Sequence, residues 1–144
     1  MYKKILVPLE NAWADPVILA HIRLLVDLTK AEILIVHVAD GWAARNYQAL
    51  DLSESEEIKT DRIYLEEQVR LLRQDGFNAS YLLAFGEPPK EIIRIAQEQA
   101  VDLIAMATHG HGFIADVIYG TTADKVRHQV DMPVLMLKAK PKPS

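Results

Sequence analysis

Glu32-Ile33-Leu34-Ile35-Val36-His37-Val38 sets four adjacent apolar residues, a histidine and a fifth apolar residue behind one charged position. A strand wetted on one face would alternate apolar and polar side chains, whereas this run is apolar almost throughout. That pattern belongs to a parallel strand covered on both faces, which places it centrally in a sheet flanked by helices.

Working outward, short runs rich in β-branched residues alternate with longer stretches of helical period, the α/β arrangement. Lys4 to Pro8 is the first strand. Asp15-Pro16 supplies a cap and a first-turn proline, and Ile18, Ile22, Leu25 and Leu28 recur on one helical face. Beyond the central strand, Ala39 to Leu52 lacks a clean period and reads as a long loop. Ser53-Glu54-Ser55-Glu56 has capping-box spacing and opens a helix that carries Leu65, Val69 and Leu72 and ends at Gly76. Its charged start, with Glu54, Glu56 and Glu57, is expected to be solvated. Asn78 to Ala84 is a third strand, followed by the turn Gly86-Glu87-Pro88-Pro89 and a helix with Ile92, Ile93, Ala96 and Ala100. Val101 to Ala107 is a fourth strand, Thr121 to Val130 a last helix, and Pro133 to Lys138 a fifth strand. The resulting fold is an open five-stranded parallel sheet with helices on both faces, because right-handed crossovers must cover both sides. Residues 1–138 form one domain, and 139–144, alternating Lys and Pro, form a disordered tail.

The 144 residues suit a single domain of ordinary size. With 16 Lys plus Arg against 20 Asp plus Glu, and no basic stripe, the net charge of −4 disfavours nucleic acid, whose phosphates demand a concentrated positive field. Cysteine is absent, which removes disulfides, thiolate metal sites and cysteine nucleophiles. No apolar stretch approaches the roughly 20 residues needed to span a bilayer. No membrane association is expected, and the location expected is cytoplasmic.

Ligands of such sheets bind at the carboxyl ends of strands where the winding direction reverses. Three of the 6 glycines, Gly110, Gly112 and Gly120, follow the fourth strand closely. Glycines let main-chain N–H groups approach an anion, and Gly120-Thr121-Thr122 adds two hydroxyls at an expected helix start. The local pattern leaves two readings open, a phosphate cradle or a turn followed by a capping threonine. The histidines, His109 and His111 included, have no carboxylate cluster at metal-ligand spacing, so no metal site is expected. His37 reads as a satisfied core residue. Trp13 and Trp42 admit either packing or stacking on a base. Neither the phosphate loop with its lysine nor a dinucleotide fingerprint is present, which disfavours nucleotide hydrolysis, NAD and FAD.

The string Asp102-Leu103-Ile104-Ala105-Met106-Ala107-Thr108-His109-Gly110-His111-Gly112, running on to Gly120-Thr121-Thr122-Ala123-Asp124-Lys125-Val126 and Pro133-Val134-Leu135, resembles the C-terminal half of the universal stress protein family. Lys3-Lys4-Ile5-Leu6-Val7-Pro8 and the strand ending His37-Val38 resemble its first two strands. In nucleotide-binding members the pattern is Gly, two residues, Gly, nine residues, then Gly with Ser or Thr. Gly110 and Gly120-Thr121 keep that register, while Ala107 stands at the first glycine, Glu10 replaces an Asp, Asn11-Ala12 replaces Gly-Ser, and His111 stands where many binders carry Arg or Lys.

The resemblance implies a Rossmann-like sheet of the adenine nucleotide alpha hydrolase type, with strand order 3-2-1-4-5. It further implies that Pro8, Glu10 and Val38 flank base and ribose, that Met106 and Ala107 form the inner wall, and that Gly110, His111, Gly112, Gly120, Thr121 and Thr122 surround phosphates. The expected ligand is ATP or another adenine nucleotide, with or without Mg. The expected role is a stress-response module, homodimeric through the edge strand 133–138, acting with a further protein partner, with no catalytic residue assigned. The alternatives are a dimeric interaction protein of the same family that binds no nucleotide, and, ranked last, a slow ATPase.

Overall fold

A computed structural model describes residues 1–39, 56–108 and 114–139, with the backbone alone for 114–121. Along the chain run β1 (Lys4–Pro8), α1 (Asp15–Thr29), β2 (Glu32–Ala39), α2 (Glu56–Gln74), β3 (Ala79–Phe85), α3 (Pro88–Glu98), β4 (Leu103–Thr108), α4 (Ile114–Gln129) and β5 (Val134–Lys138). All strand pairs are parallel and the order is β3-β2-β1-β4-β5.

Side chains alternate across the sheet, and each set meets its own pair of helices. Ile5, Val7, Ile33, Ile35, Leu103 and Ala105 pack with α1 and α2 residues such as Ile18, Ile22 and Leu65. Leu6, Leu34, Val36, Ile104 and Met106 pack with Ile92 and Ala96 of α3 and with Ala123 and Val126 of α4. Both faces of β1, β2 and β4 are therefore dry, as the apolar run at 33–36 requires. At the end of α2, Gly76 adopts φ 91°, and the N–H groups of Gly76 and Phe77 close on the carbonyls of Arg73 and Leu72 at 3.0 Å each. That left-handed position suits glycine, which has no Cβ to clash.

The register creates the crevice that the site occupies. β1 and β4 pair at Ile5↔Leu103 and Leu6↔Ile104, while β1 stays paired with β2 as far as Pro8↔Val36 and β4 with β5 as far as Thr108↔Lys138. β1 and β4 are where the winding reverses, so their carboxyl ends bound the expected ligand position.

Several sequence expectations need correction. α4 starts at Ile114, seven residues before the expected Thr121, so Gly120, Thr121 and Thr122 lie within the helix rather than at its start. The glycine inside the pattern disguised a continuous helix. On α1, Ile18 and Ile22 are buried together with Leu19 and Val26, whereas Leu28 is 85% exposed. Leu28 falls outside the helical arc that Ile18, Ile22 and Val26 bury, and the helix ends at Lys30 in a left-handed cap whose N–H meets the Val26 carbonyl at 2.8 Å. Asp15 does not cap α1: the N-cap is Ala14, with no side-chain bond. β2 runs on to Ala39 and β3 to Phe85, and β4 spans Leu103 to Thr108. Ala139, assigned to a tail, is buried and continues the ladder through its N–H to the Thr108 carbonyl at 2.7 Å. Residues 40–55, 109–113 and 140–144, including Trp42, Ser53, Glu54 and His109, lie outside the described residues.

Candidate functional site

A cavity of about 270 Å³ opens at the carboxyl ends of β1, β2 and β4. Pro8, Glu10, Val38, Met106, Ala107 and Thr122 all line it, so the structure brings together these sequence-derived candidates from four separate elements. Thr122 is 8% exposed and faces the cavity from within α4. Gly110, His111 and Gly112 lie outside the described residues, and Gly120 and Thr121 sit on the α4 backbone two residues and one residue before Thr122.

The floor is the loop after β1, and its shape is fixed by one buried carboxylate. Asp15, 2% exposed, accepts the Glu10 N–H at 3.0 Å on Oδ1, and those of Asn11 and Ala12 at 2.8 and 3.3 Å on Oδ2. Asn11 has φ 59°, a left-handed position that asparagine tolerates better than most residues, and the tight turn aims these N–H groups inward. The Tyr64 hydroxyl donates a fourth bond to Asp15 Oδ2 at 2.6 Å. Burial, then the hydrogen bond and charge of Asp15, hold the Tyr64 phenol far above its ordinary ionisation range, so it remains a donor.

His37 completes the floor. A carbonyl can only accept, so His37 Nδ1 donates to the Leu9 carbonyl at 2.8 Å. On the other side of the ring, Nε2 lies 3.2 Å from Oδ2 of Asp61, a carboxylate 7% exposed on α2. Asp61 Oδ1 also accepts from Asn11 Nδ2 at 3.2 Å. His37 is thus a hydrogen-bonded member of the cavity lining rather than a core residue alone. Glu57 is exposed, as expected of a solvated helix start, and it also lines the cavity from the first turn of α2, a role its sequence position did not signal.

The remaining wall is apolar. Pro88 and Ile92 of α3 line it, and the two prolines at the start of α3 remove backbone donors that a helix start would otherwise present. Among the described lining residues Glu10, Asp15 and Glu57 are carboxylates and none is Lys or Arg. This end of the cavity therefore suits hydrogen-bond donors and a flat apolar group, and repels bare phosphate. Among the described residues no group of His, Asp and Glu is arranged to hold a metal, and no helix is long and apolar enough to cross a membrane.

The same architecture occurs in known proteins. The chain is 27% identical over 162 residues to universal stress protein MJ0577 of Methanocaldococcus jannaschii, covering 97% of each. The solved structure of MJ0577 superposes with a TM-score of 0.82 at 26% identity and 99% coverage of both chains. A universal stress protein from Archaeoglobus fulgidus solved in complex with dAMP shares the fold at a TM-score of 0.70 and 20% identity, with 95% and 98% of the chains covered. The model of the universal stress protein family matches residues 1–138. With the parallel sheet, the crevice between β1 and β4 and this match over nearly the whole chain, the protein belongs to the universal stress protein family.

Proposed function

We propose that the protein binds an adenine nucleotide in the cavity at the carboxyl ends of β1 and β4 and serves as a regulatory, stress-response module without a catalytic step of its own. The observation that carries the reading is the convergence of Pro8, Glu10, Val38, Met106, Ala107 and Thr122 on one cavity at the switch point of the sheet. The dAMP held by the Archaeoglobus fulgidus protein of the same fold supports it.

The chemistry orients the ligand. The base rests between Pro8, Val38 and the apolar wall, and the ribose hydroxyls donate to Glu10. Phosphates then point away from Glu57 toward Gly110, His111, Gly112, Gly120, Thr121 and Thr122, where magnesium can accompany them. Ala107 in place of a glycine adds one methyl to the inner wall. The edge position of β5, where Met136 is 44% exposed, supports pairing of two copies through that strand.

A second reading, an interaction protein with an empty site, is favoured by the acidic lining. The two separate cleanly. Protein purified without added nucleotide and then denatured releases an adenine compound on the first reading, and Ala107→Phe, which fills the cavity, abolishes the release. No adenine compound from the wild type, together with an unchanged melting temperature in millimolar ATP, establishes the second.

A further inference from the structure

Three side chains of α2 face the cavity and its floor at i, i+4 and i+7: Glu57 lines the cavity, Asp61 meets His37 and Asn11, and Tyr64 meets Asp15. The peptide between Leu9 and Glu10 is consequently gripped from both ends. Its carbonyl receives the His37 Nδ1–H at 2.8 Å and its N–H is donated to Asp15 at 3.0 Å. Each gripping group is itself met by α2: Asp15 receives the Tyr64 hydroxyl, and Asp61 Oδ2 faces His37 Nε2 at 3.2 Å, a contact that is a hydrogen bond when the ring carries a proton on both nitrogens.

We propose that Asp61 and Tyr64 are positioning residues of the ligand site, fixing the Leu9–Glu10 peptide through His37 and Asp15 and so setting the affinity for whatever occupies the cavity. The identity of the occupant rests on the nucleotide reading above, but the positioning itself does not.

The geometry favours this over a purely structural role. Pure stabilisation needs no carboxylate at 61, since the same face of α2 buries Leu65, Val69 and Leu72 against the sheet, and an apolar residue would fit the series. Instead Asp61 is buried where both its oxygens reach groups belonging to the cavity floor, Asn11 and His37. Buried polar groups that are fully paired impose one geometry on their partners, because any displacement leaves a desolvated donor or acceptor unpaired.

Two readouts test the proposal on the full chain. Asp61→Leu is compared with Asp61→Asn, which keeps the shape and one acceptor oxygen, and with Ile104→Val, a core change on the opposite face that lowers stability without touching the floor. Amide hydrogen exchange is measured at Glu10 and Asn11 in ligand-free protein, and AMP affinity by calorimetric titration. Asp61→Leu is expected to speed exchange at Glu10 and raise the AMP dissociation constant by about tenfold each, with Asp61→Asn within about threefold of wild type and Ile104→Val unchanged in both. Tyr64→Phe is expected to speed exchange at Asn11 to a smaller degree. Unaltered Glu10 exchange in Asp61→Leu, or AMP affinity that falls equally in Ile104→Val, overturns the proposal. If the wild type takes up no AMP, the nucleotide reading fails, and the exchange data decide the positioning role alone.

Discussion

The Tyr64 hydroxyl and the Asp15 carboxylate meet at 2.6 Å, joining α2 to the first residue of α1 across 49 positions of sequence. Removing the hydroxyl leaves Asp15 with its three backbone donors but without its shortest bond. Tyr64→Phe should cost about 1.5 kcal/mol of unfolding free energy in urea, the lower end of the net range for a hydrogen bond to a charged group, as suits a half-buried setting.

The same pair sets an alkaline limit on stability. The Tyr64 phenol is raised in the folded protein, chiefly by burial and then by Asp15. Below the ordinary phenol value of about 10 the hydroxyl is neutral in folded and unfolded chains alike, so its contribution is fully present. As pH rises past that value the unfolded chain ionises while the folded chain does not, and the contribution is lost. Denaturation midpoints should therefore fall above pH ~10, and fall less steeply in Tyr64→Phe.

Helical periodicity and observed burial disagree at Leu28, which gives a sharp contrast in cost. Ile35 is fully buried and Leu28 is 85% exposed. Ile35→Ala should destabilise by about 2–5 kcal/mol, through lost transfer energy and a residual cavity. Leu28→Ala should change stability by less than about 0.5 kcal/mol. Chemical denaturation of the two variants checks both.

At the opposite end of the sheet from the cavity, Asp102 accepts the N–H groups of Lys3 and Lys4 at 2.8 and 3.1 Å, fastening the entry of β1 to that of β4. Asp102→Ala should cost about 1–2 kcal/mol yet leave ligand affinity unchanged, since the bond lies at the far end of both strands. Parallel melting and titration experiments separate the two effects.

The proposed pairing of two copies through β5 predicts a further outcome. Met136→Lys places a charge on the exposed edge, and sedimentation velocity should show the wild type as a dimer and the variant as a monomer. Two species of equal mass would remove β5 as the interface.

The sheet was legible from sequence because its determinants are local: the unbroken apolar run at 33–36 and the β-branched character of Lys4–Pro8 state their burial without reference to other segments. The position of the cavity at the carboxyl ends of the strands followed from topology, while Pro8, Val38, Met106 and Ala107 as lining residues were implied by the family resemblance. The floor could not. Asp15 read as a helix cap and nothing in the sequence singled out Asp61, because their partners lie about fifty residues away in sequence, Tyr64 for the one and Asn11 for the other. The start of α4 was missed because Gly120, usually a helix breaker, lies inside a helix held against the sheet by Ala123 and Val126. Glu57 is exposed as expected, but its place on the cavity lining was not legible, because a first-turn glutamate complements the helix dipole equally well when it faces open water or a cavity.

The central claim is that the cavity between β1 and β4 receives an adenine nucleotide. Isothermal titration of the wild type and of Ala107→Phe with AMP, ADP and ATP, with and without magnesium, tests it most directly. The account predicts saturable binding at one nucleotide per chain, abolished by Ala107→Phe. Absence of binding to the wild type by all three nucleotides at millimolar concentration, or full retention of binding in the filled variant, contradicts it.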